Sequence, residues 1–242
     1  MKLILLFAFA AGCSSSKDSS DPTDTGQGGG APPATEDTAP QSDSGSDEET
    51  DTDSPEPVDT GEKEPEPEDC VWPSGPVGVD LGQSPSKTMS WMGYAPQESA
   101  PRRIHLEEFY DCDGRLGGMD ALLLIVSQFG CPSCDSEAEV LDQNVLAWTN
   151  QGHNVQVITL LLDNPDNSMP ATIDSVADWR SYFPTQRSHT VTDPSFSMVL
   201  PNQQSIGTPM EVIVDPQSMT VVHRQEGWDS QYTALKQFLA TK

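Results

Sequence analysis

ALLLIVSQFGCPSC, residues 121–134, is the stretch where this chain changes from one kind of element to another. Ala121 to Phe129 is an apolar run of strand length, which suits a central strand buried on both faces. Past Gly130 the period changes. Ala138, Leu141, Val145 and Trp148 recur at steps of three and four with acids between them, and Gly152 supplies a stop. Pro132 suits a first helical turn. The pair Cys131 and Cys134 therefore sits where a strand hands over to a helix.

That location carries chemistry. The free N–H groups at a helix start stabilise an anion, and a thiolate is the attacking species in disulfide exchange. A second thiol one turn on can attack the mixed disulfide and release the product. Cys131 is accordingly expected as nucleophile and Cys134 as resolving thiol. The competing reading is a structural disulfide in a strand–helix turn.

Outward from the motif, Asn154–Leu162 reads as a second buried strand, and Ile173, Val176, Trp179 and Phe183 as a helix. His189–Thr192 reads as a short strand. Met210–Asp215 and Thr220–Gln225 form a strand pair turning through Pro216, Gln217 and Ser218. Tyr232, Leu235, Phe238 and Leu239 give a closing helix. Strand–helix alternation followed by a hairpin and a last helix indicates an α/β class with a mixed central sheet flanked by helices.

The 242 residues carry 38 acidic against 12 basic side chains, a net charge of −26. Residues 14–69 alone hold 18 Asp/Glu and 2 Lys, with almost no large apolar side chain. Such a segment does not offset the entropy of ordering itself and is expected to be a disordered tether, with a span of roughly 40 Å. Its acidic runs (Asp47–Glu49, Glu62–Asp69) lack the spacing and glycine of a calcium loop and read as a solvated spacer. Residues 70–242 are long enough to bury a core. So acidic a chain argues against nucleic-acid binding, which is driven by clustered Lys and Arg.

At the start, Met1-Lys2 precedes the apolar run Leu3–Ala11, too short to span a bilayer, which takes about 20 residues. It fits a signal-peptide core. Ala10-Ala11-Gly12-Cys13, followed by three serines, resembles the bacterial lipobox, with Ala10 where Leu is usual. The expected organisation is a lipoprotein signal peptide (1–12), a lipidated Cys13 with its acidic linker (13–69) and one domain (70–242). An ordinary secretory signal with an incidental cysteine is the alternative.

Export permits disulfides. Cys70, Cys112, Cys131 and Cys134 allow three pairings. The close spacing of Cys131 and Cys134 makes an internal pair the natural one, which leaves Cys70 with Cys112 as a structural staple worth roughly 3–4 kcal/mol. Zinc would want two close ligand pairs. Cys70 and Cys112 form no second one, and His105, His153, His189 and His223 are scattered singly. No metal and no cofactor is expected.

The order strand, Cys-x-x-Cys, helix, then Gly207-Thr208-Pro209 opening a strand resembles the thioredoxin-like fold. In that family the bond before such a proline is cis and lies against the cysteine pair. The resemblance implies that Pro132, Ser133, Thr208 and Pro209 meet the substrate chain. The interval from Cys131 to Pro209 exceeds that of a minimal thioredoxin by about one strand–helix unit, as in the tethered TlpA/ResA branch and the wider redoxin (AhpC/TSA) group. Glu137 matches an acidic residue of the TlpA/ResA branch that assists proton transfer; otherwise it is a solvated helix carboxylate. Two features depart from the pattern. Gly130 stands where Trp is usual, implying a more open, less aromatic groove, and Ile125 lies near the place of thioredoxin's buried acid. Gln128 and Gly130 leave no Thr where a peroxiredoxin has one.

By resemblance, the chain is a lipid-anchored thiol–disulfide oxidoreductase of the bacterial cell envelope, on the periplasmic face of the outer membrane. It would act as a monomer on protein thiols and disulfides with a further redox partner. A redox-inactive binding or scaffold domain is the alternative. Residues 71–100 match no known pattern.

Overall fold

The computed structural model describes residues 70–203 and 205–242. The expected signal peptide, Cys13 and the acidic linker lie outside the described residues. The elements in chain order are β1 (Ser90–Tyr94), β2 (Arg102–His105), a 3-10 turn (Leu106–Phe109), β3 (Ala121–Ser127), α1 (Pro132–Asn150), β4 (Val155–Leu161), α2 (Ile173–Tyr182), β5 (His189–Thr192), β6 (Met210–Asp215), β7 (Thr220–Glu226) and α3 (Thr233–Leu239).

All seven residues of β3 are buried, as a strand covered on both faces requires. It lies inside a seven-stranded sheet of order β2-β1-β5-β4-β3-β6-β7. β4 runs parallel to it, with Ala121 opposite Val155, and β6 runs antiparallel, with Leu122 opposite Val214. β7 returns antiparallel to β6. A parallel β-α-β unit, then an antiparallel hairpin on the other side of its first strand, then a helix: this is the thioredoxin-like α/β architecture, with α2 and β5 as the added unit.

Side chains alternate across a strand, and the alternation in β3 divides the core. Ala121, Leu123 and Ile125 pack with Leu141, Val145 and Trp148 of α1, with Tyr232, and with Leu235 and Leu239 of α3. Leu122, Leu124 and Val126 face the other way, onto Trp91, Ile104, Leu106, Phe109 and Met198. Among the described residues, none of α1, α2 or α3 enters that second cluster. The connection from β5 to β6 and the N-terminal segment cover it, Met198 and Val79 being buried there. A third cluster joins Val176 and Trp179 of α2 to Phe129, Cys134 and Ala138.

The expected strands and helices are present, with ends moved by one or two residues. β3 stops at Ser127, two residues short of Phe129. α3 opens after Tyr232, which adopts a left-handed conformation at φ 48°. The hairpin β1–β2 was not foreseen; it extends the sheet beyond β5, with Gly93 opposite Val191. Cys70 and Cys112 are disulfide-bonded with Cα atoms 5.9 Å apart, as the spacing predicts. Beside that bond the Tyr110 hydroxyl donates to the Val71 carbonyl at 2.7 Å. No helix among the described residues is long and apolar enough to cross a membrane.

Candidate active site

The chain leaves β3 through Gln128, Phe129 and Gly130. The Phe129 N–H donates to the Asp163 carboxylate at 2.8 Å. Asp163 lies two residues past the end of β4 and is only 3% exposed; burial raises its carboxyl above the ordinary range, against the pull of that bond. The Phe129 ring stacks edge-on against Trp179, 5.2 Å between centroids, and so points into the core rather than into a groove. Gly130 then turns the chain at φ 68°, a conformation that suits glycine.

Cys131 is the N-cap of α1, with Pro132 in the first turn. It is bonded to Cys134, Cα to Cα 5.2 Å. The two residues are unequally enclosed: Cys131 is 8% exposed and Cys134 is sealed at 0%. The Cys134 N–H donates to the Cys131 sulfur at 3.3 Å. Pro132 and Ser133 stand exposed at the helix start.

The peptide bond between Thr208 and Pro209 is cis, as the family resemblance implies. The Thr208 carbonyl oxygen lies 3.4 Å from the Cys131 sulfur, and the Thr208 hydroxyl donates to that sulfur at 3.7 Å. This loop is tethered on both sides. The Gly207 N–H donates to Glu226 at 2.8 Å, and the Gly227 N–H to the Pro209 carbonyl at 2.7 Å. A sulfur at this position, reduced to a thiol, has a carbonyl to donate to; as an anion it has two donors and the positive end of a helix.

Glu137 lies one turn beyond Cys134 on the same helix and is 1% exposed. The reading as a solvated carboxylate is therefore wrong. Its position on α1 faces the inner surface of the sheet, and a second acid meets it there. Glu211 of β6 is 2% exposed, opposite Ile125 on one side and Gln225 on the other. The Tyr232 hydroxyl donates to Glu137 Oε1 at 3.2 Å, and the Gln225 amide to Glu211 Oε2 at 3.0 Å. Burial first, then the nearby Glu211 charge, pushes the Glu137 carboxyl up to about 9. Burial likewise raises Glu211.

The fold thus brings Cys131, Pro132, Ser133, Cys134, Glu137, Thr208 and Pro209 to one place and leaves Cys70 and Cys112 elsewhere. Sequence reasoning missed Asp163, Glu211 and Tyr232. Glu211 left a signal, since it is a charge in the second position of the otherwise apolar MEVIV. Among the described residues one cluster has the composition of a metal site, Cys70, Cys112 and Asp113, but its two sulfurs are joined to each other.

No family profile matches the chain, and no curated protein matches it. Several solved structures follow a similar course. A candidate thiol:disulfide interchange protein DsbE from Chlorobium tepidum is 16% identical with a TM-score of 0.45, over 68% of this chain and 98% of that one. A thioredoxin-like protein from Aeropyrum pernix is 15% identical with a TM-score of 0.46, over 64% and 90%. The reduced 2-Cys peroxiredoxin of Plasmodium vivax is 15% identical with a TM-score of 0.45, over 66% and 95%. The thioredoxin-like character of the fold follows from the chain's own strand order and from the place of its cysteine pair.

Proposed function

We propose that this domain is a thiol–disulfide oxidoreductase that exchanges disulfides with protein thiols through Cys131 and Cys134. The observation that carries the reading is the Cys131 sulfur at the head of α1, 3.4 Å from the carbonyl before the cis-proline, with its partner sulfur enclosed. In the reducing direction the Cys131 thiolate attacks one sulfur of a substrate disulfide, and the other leaves as a thiolate. Cys134 then attacks the Cys131 sulfur, the Cys131–Cys134 bond forms, and the second substrate sulfur departs. Two electrons pass from the protein dithiol to the substrate; the reverse sequence oxidises a substrate dithiol. Pro132, Ser133, Thr208 and Pro209 border the sulfur and form the surface along which a substrate chain lies.

The apolar leader and the lipobox-like run before Cys13 support a reading in which this domain works outside the cytoplasm on a lipid anchor, with the acidic linker as spacer. Cys134→Ser in the full chain is expected to accumulate partner proteins as mixed disulfides, and Cys131→Ser none. Absence of adducts with both variants, in an export compartment, refutes the exchange reading.

A further inference from the structure

From β7 a line of hydrogen bonds runs to the loop beside the Cys131 sulfur. It starts at the half-buried Arg224. Arg224 Nη1 donates to the Met198 carbonyl at 3.0 Å and to the Val79 carbonyl at 3.3 Å. Nη2 donates to Gln203 Oε1 at 2.8 Å. The Gln203 amide in turn donates to Glu226 Oε1 at 2.5 Å, and Glu226 Oε2 accepts the Gly207 N–H at 2.8 Å. The approach at Gly207 is close: a Cβ there would stand 2.9 Å from Glu226 Oε2 and 3.3 Å from its Cβ. Gly207 leads into Thr208, whose carbonyl and hydroxyl lie 3.4 and 3.7 Å from the Cys131 sulfur.

We infer that Arg224 and Glu226 are positioning residues for the exchange site: acting through Gln203, they hold the Thr208 carbonyl and hydroxyl against the Cys131 sulfur. This rests on the exchange reading. Neither residue touches the reacting atoms. What they fix is a donor, since the Thr208 hydroxyl favours the sulfur anion only where it is held within reach. The planar guanidinium suits the task because it presents its donors in a rigid fork, which an ammonium does not. It joins separate pieces of chain: Val79 before β1, and Met198 and Gln203 after β5. The Val79 end is itself anchored. Val79 is buried, and its segment pairs with β7 through Gly82 N–H to the Val221 carbonyl at 2.9 Å and Val221 N–H to the Gln83 carbonyl at 2.8 Å. The segment before β1, which matches no known pattern in sequence, thereby gains a part in the site.

The test is the pH profile of iodoacetamide alkylation in the reduced full chain, read at Cys131 alone. Glu226→Ala should move the profile to higher pH and slow alkylation at pH 7 by about three- to tenfold, the worth of one modest hydrogen bond. Charge alone gives the opposite sign, because removing a nearby anion favours the thiolate. Glu226→Gln keeps an acceptor for the Gly207 N–H and should recover part of the native rate. Arg224→Lys keeps the charge without the fork and should shift the profile in the same direction as Glu226→Ala. The double variant should go no further than Glu226→Ala alone, as residues acting through one network do. An unchanged profile in either single variant overturns the inference, as does a shift to lower pH in Glu226→Ala. Additive shifts, or no recovery in Glu226→Gln, overturn it as well. Where Glu226→Ala fails to fold, Arg224→Lys decides. Failure of Cys134→Ser to trap any partner strikes instead at the exchange reading, whatever these profiles show.

Discussion

Replacing Glu137 by Gln should make this domain more stable, and increasingly so as the pH rises. Gln has the shape of the protonated acid: its oxygen accepts from the Tyr232 hydroxyl as Glu137 Oε1 does at 3.2 Å, and its amide donates toward Glu211. The magnitude follows from linkage. Unfolded, the Glu137 carboxyl ionises near 4.5; folded, burial and the Glu211 charge push it up to about 9. A folded value above the unfolded one means that the folded chain holds the extra proton. The stabilisation that goes with it is complete below the unfolded value and is lost as the pH climbs toward the folded one. Each pH unit is worth about 1.4 kcal/mol, so by pH 7 the native carboxyl has forfeited about 3 kcal/mol that Gln does not lose. Urea unfolding of the oxidised domain at a series of pH values measures this directly. The two proteins should agree near pH 4 and diverge above it, Gln the more stable. Parallel pH profiles, or a variant less stable at neutral pH, would refute the reasoning that the carboxyl is kept protonated by burial.

Three further outcomes are expected. Replacing Cys70 and Cys112 together by Ser opens a link spanning a separation of 42 residues and should cost about 4 kcal/mol in the chain-entropy picture, read as a lowered urea midpoint with Cys131 and Cys134 still paired. Asp163→Ala leaves the Phe129 amide without its acceptor and should cost about 1–3 kcal/mol; Asp163→Asn, which keeps an oxygen there, should cost less, with amide exchange at Phe129 as a second readout. Burial holds the His189 imidazole down to about 4 from 6.5. The unfolded chain therefore binds that proton first, and stability present above pH 6.5 is lost as the pH falls toward 4, by about 1.4 kcal/mol per pH unit; His189→Gln should flatten this acid limb.

The central frame was legible because its signals are local. An apolar run fully buried on both faces, a proline in the first turn, and apolar steps of three and four through Trp148 each bear on a few consecutive residues. The cysteine pair and Thr208-Pro209 were legible by the same token, being short motifs that abut strand ends. The hairpin of β1 and β2 was not. Its first strand, SWMGY, has a glycine and five residues, and is fixed by Gly93 lying against Val191 of a strand nearly a hundred positions away. The carboxyl pair was half legible. Glu137 announces itself by its spacing from Cys134, but its burial depends on Tyr232 and Glu211, which only the closing hairpin and helix bring beneath α1. Asp163 reads as a strand end until the loop it holds is seen.

Exchange depends on Cys131, at the tip of α1, being the sulfur that attacks. Its most direct test is to reduce the full chain and follow alkylation of each cysteine by iodoacetamide at pH 7. Cys131 should be modified first, at least about tenfold faster than Cys134, as a thiolate favoured by a helix start and the less enclosed of the two reacts ahead of a sealed thiol. Modification of Cys134 ahead of Cys131, or inertness of both, would contradict the account.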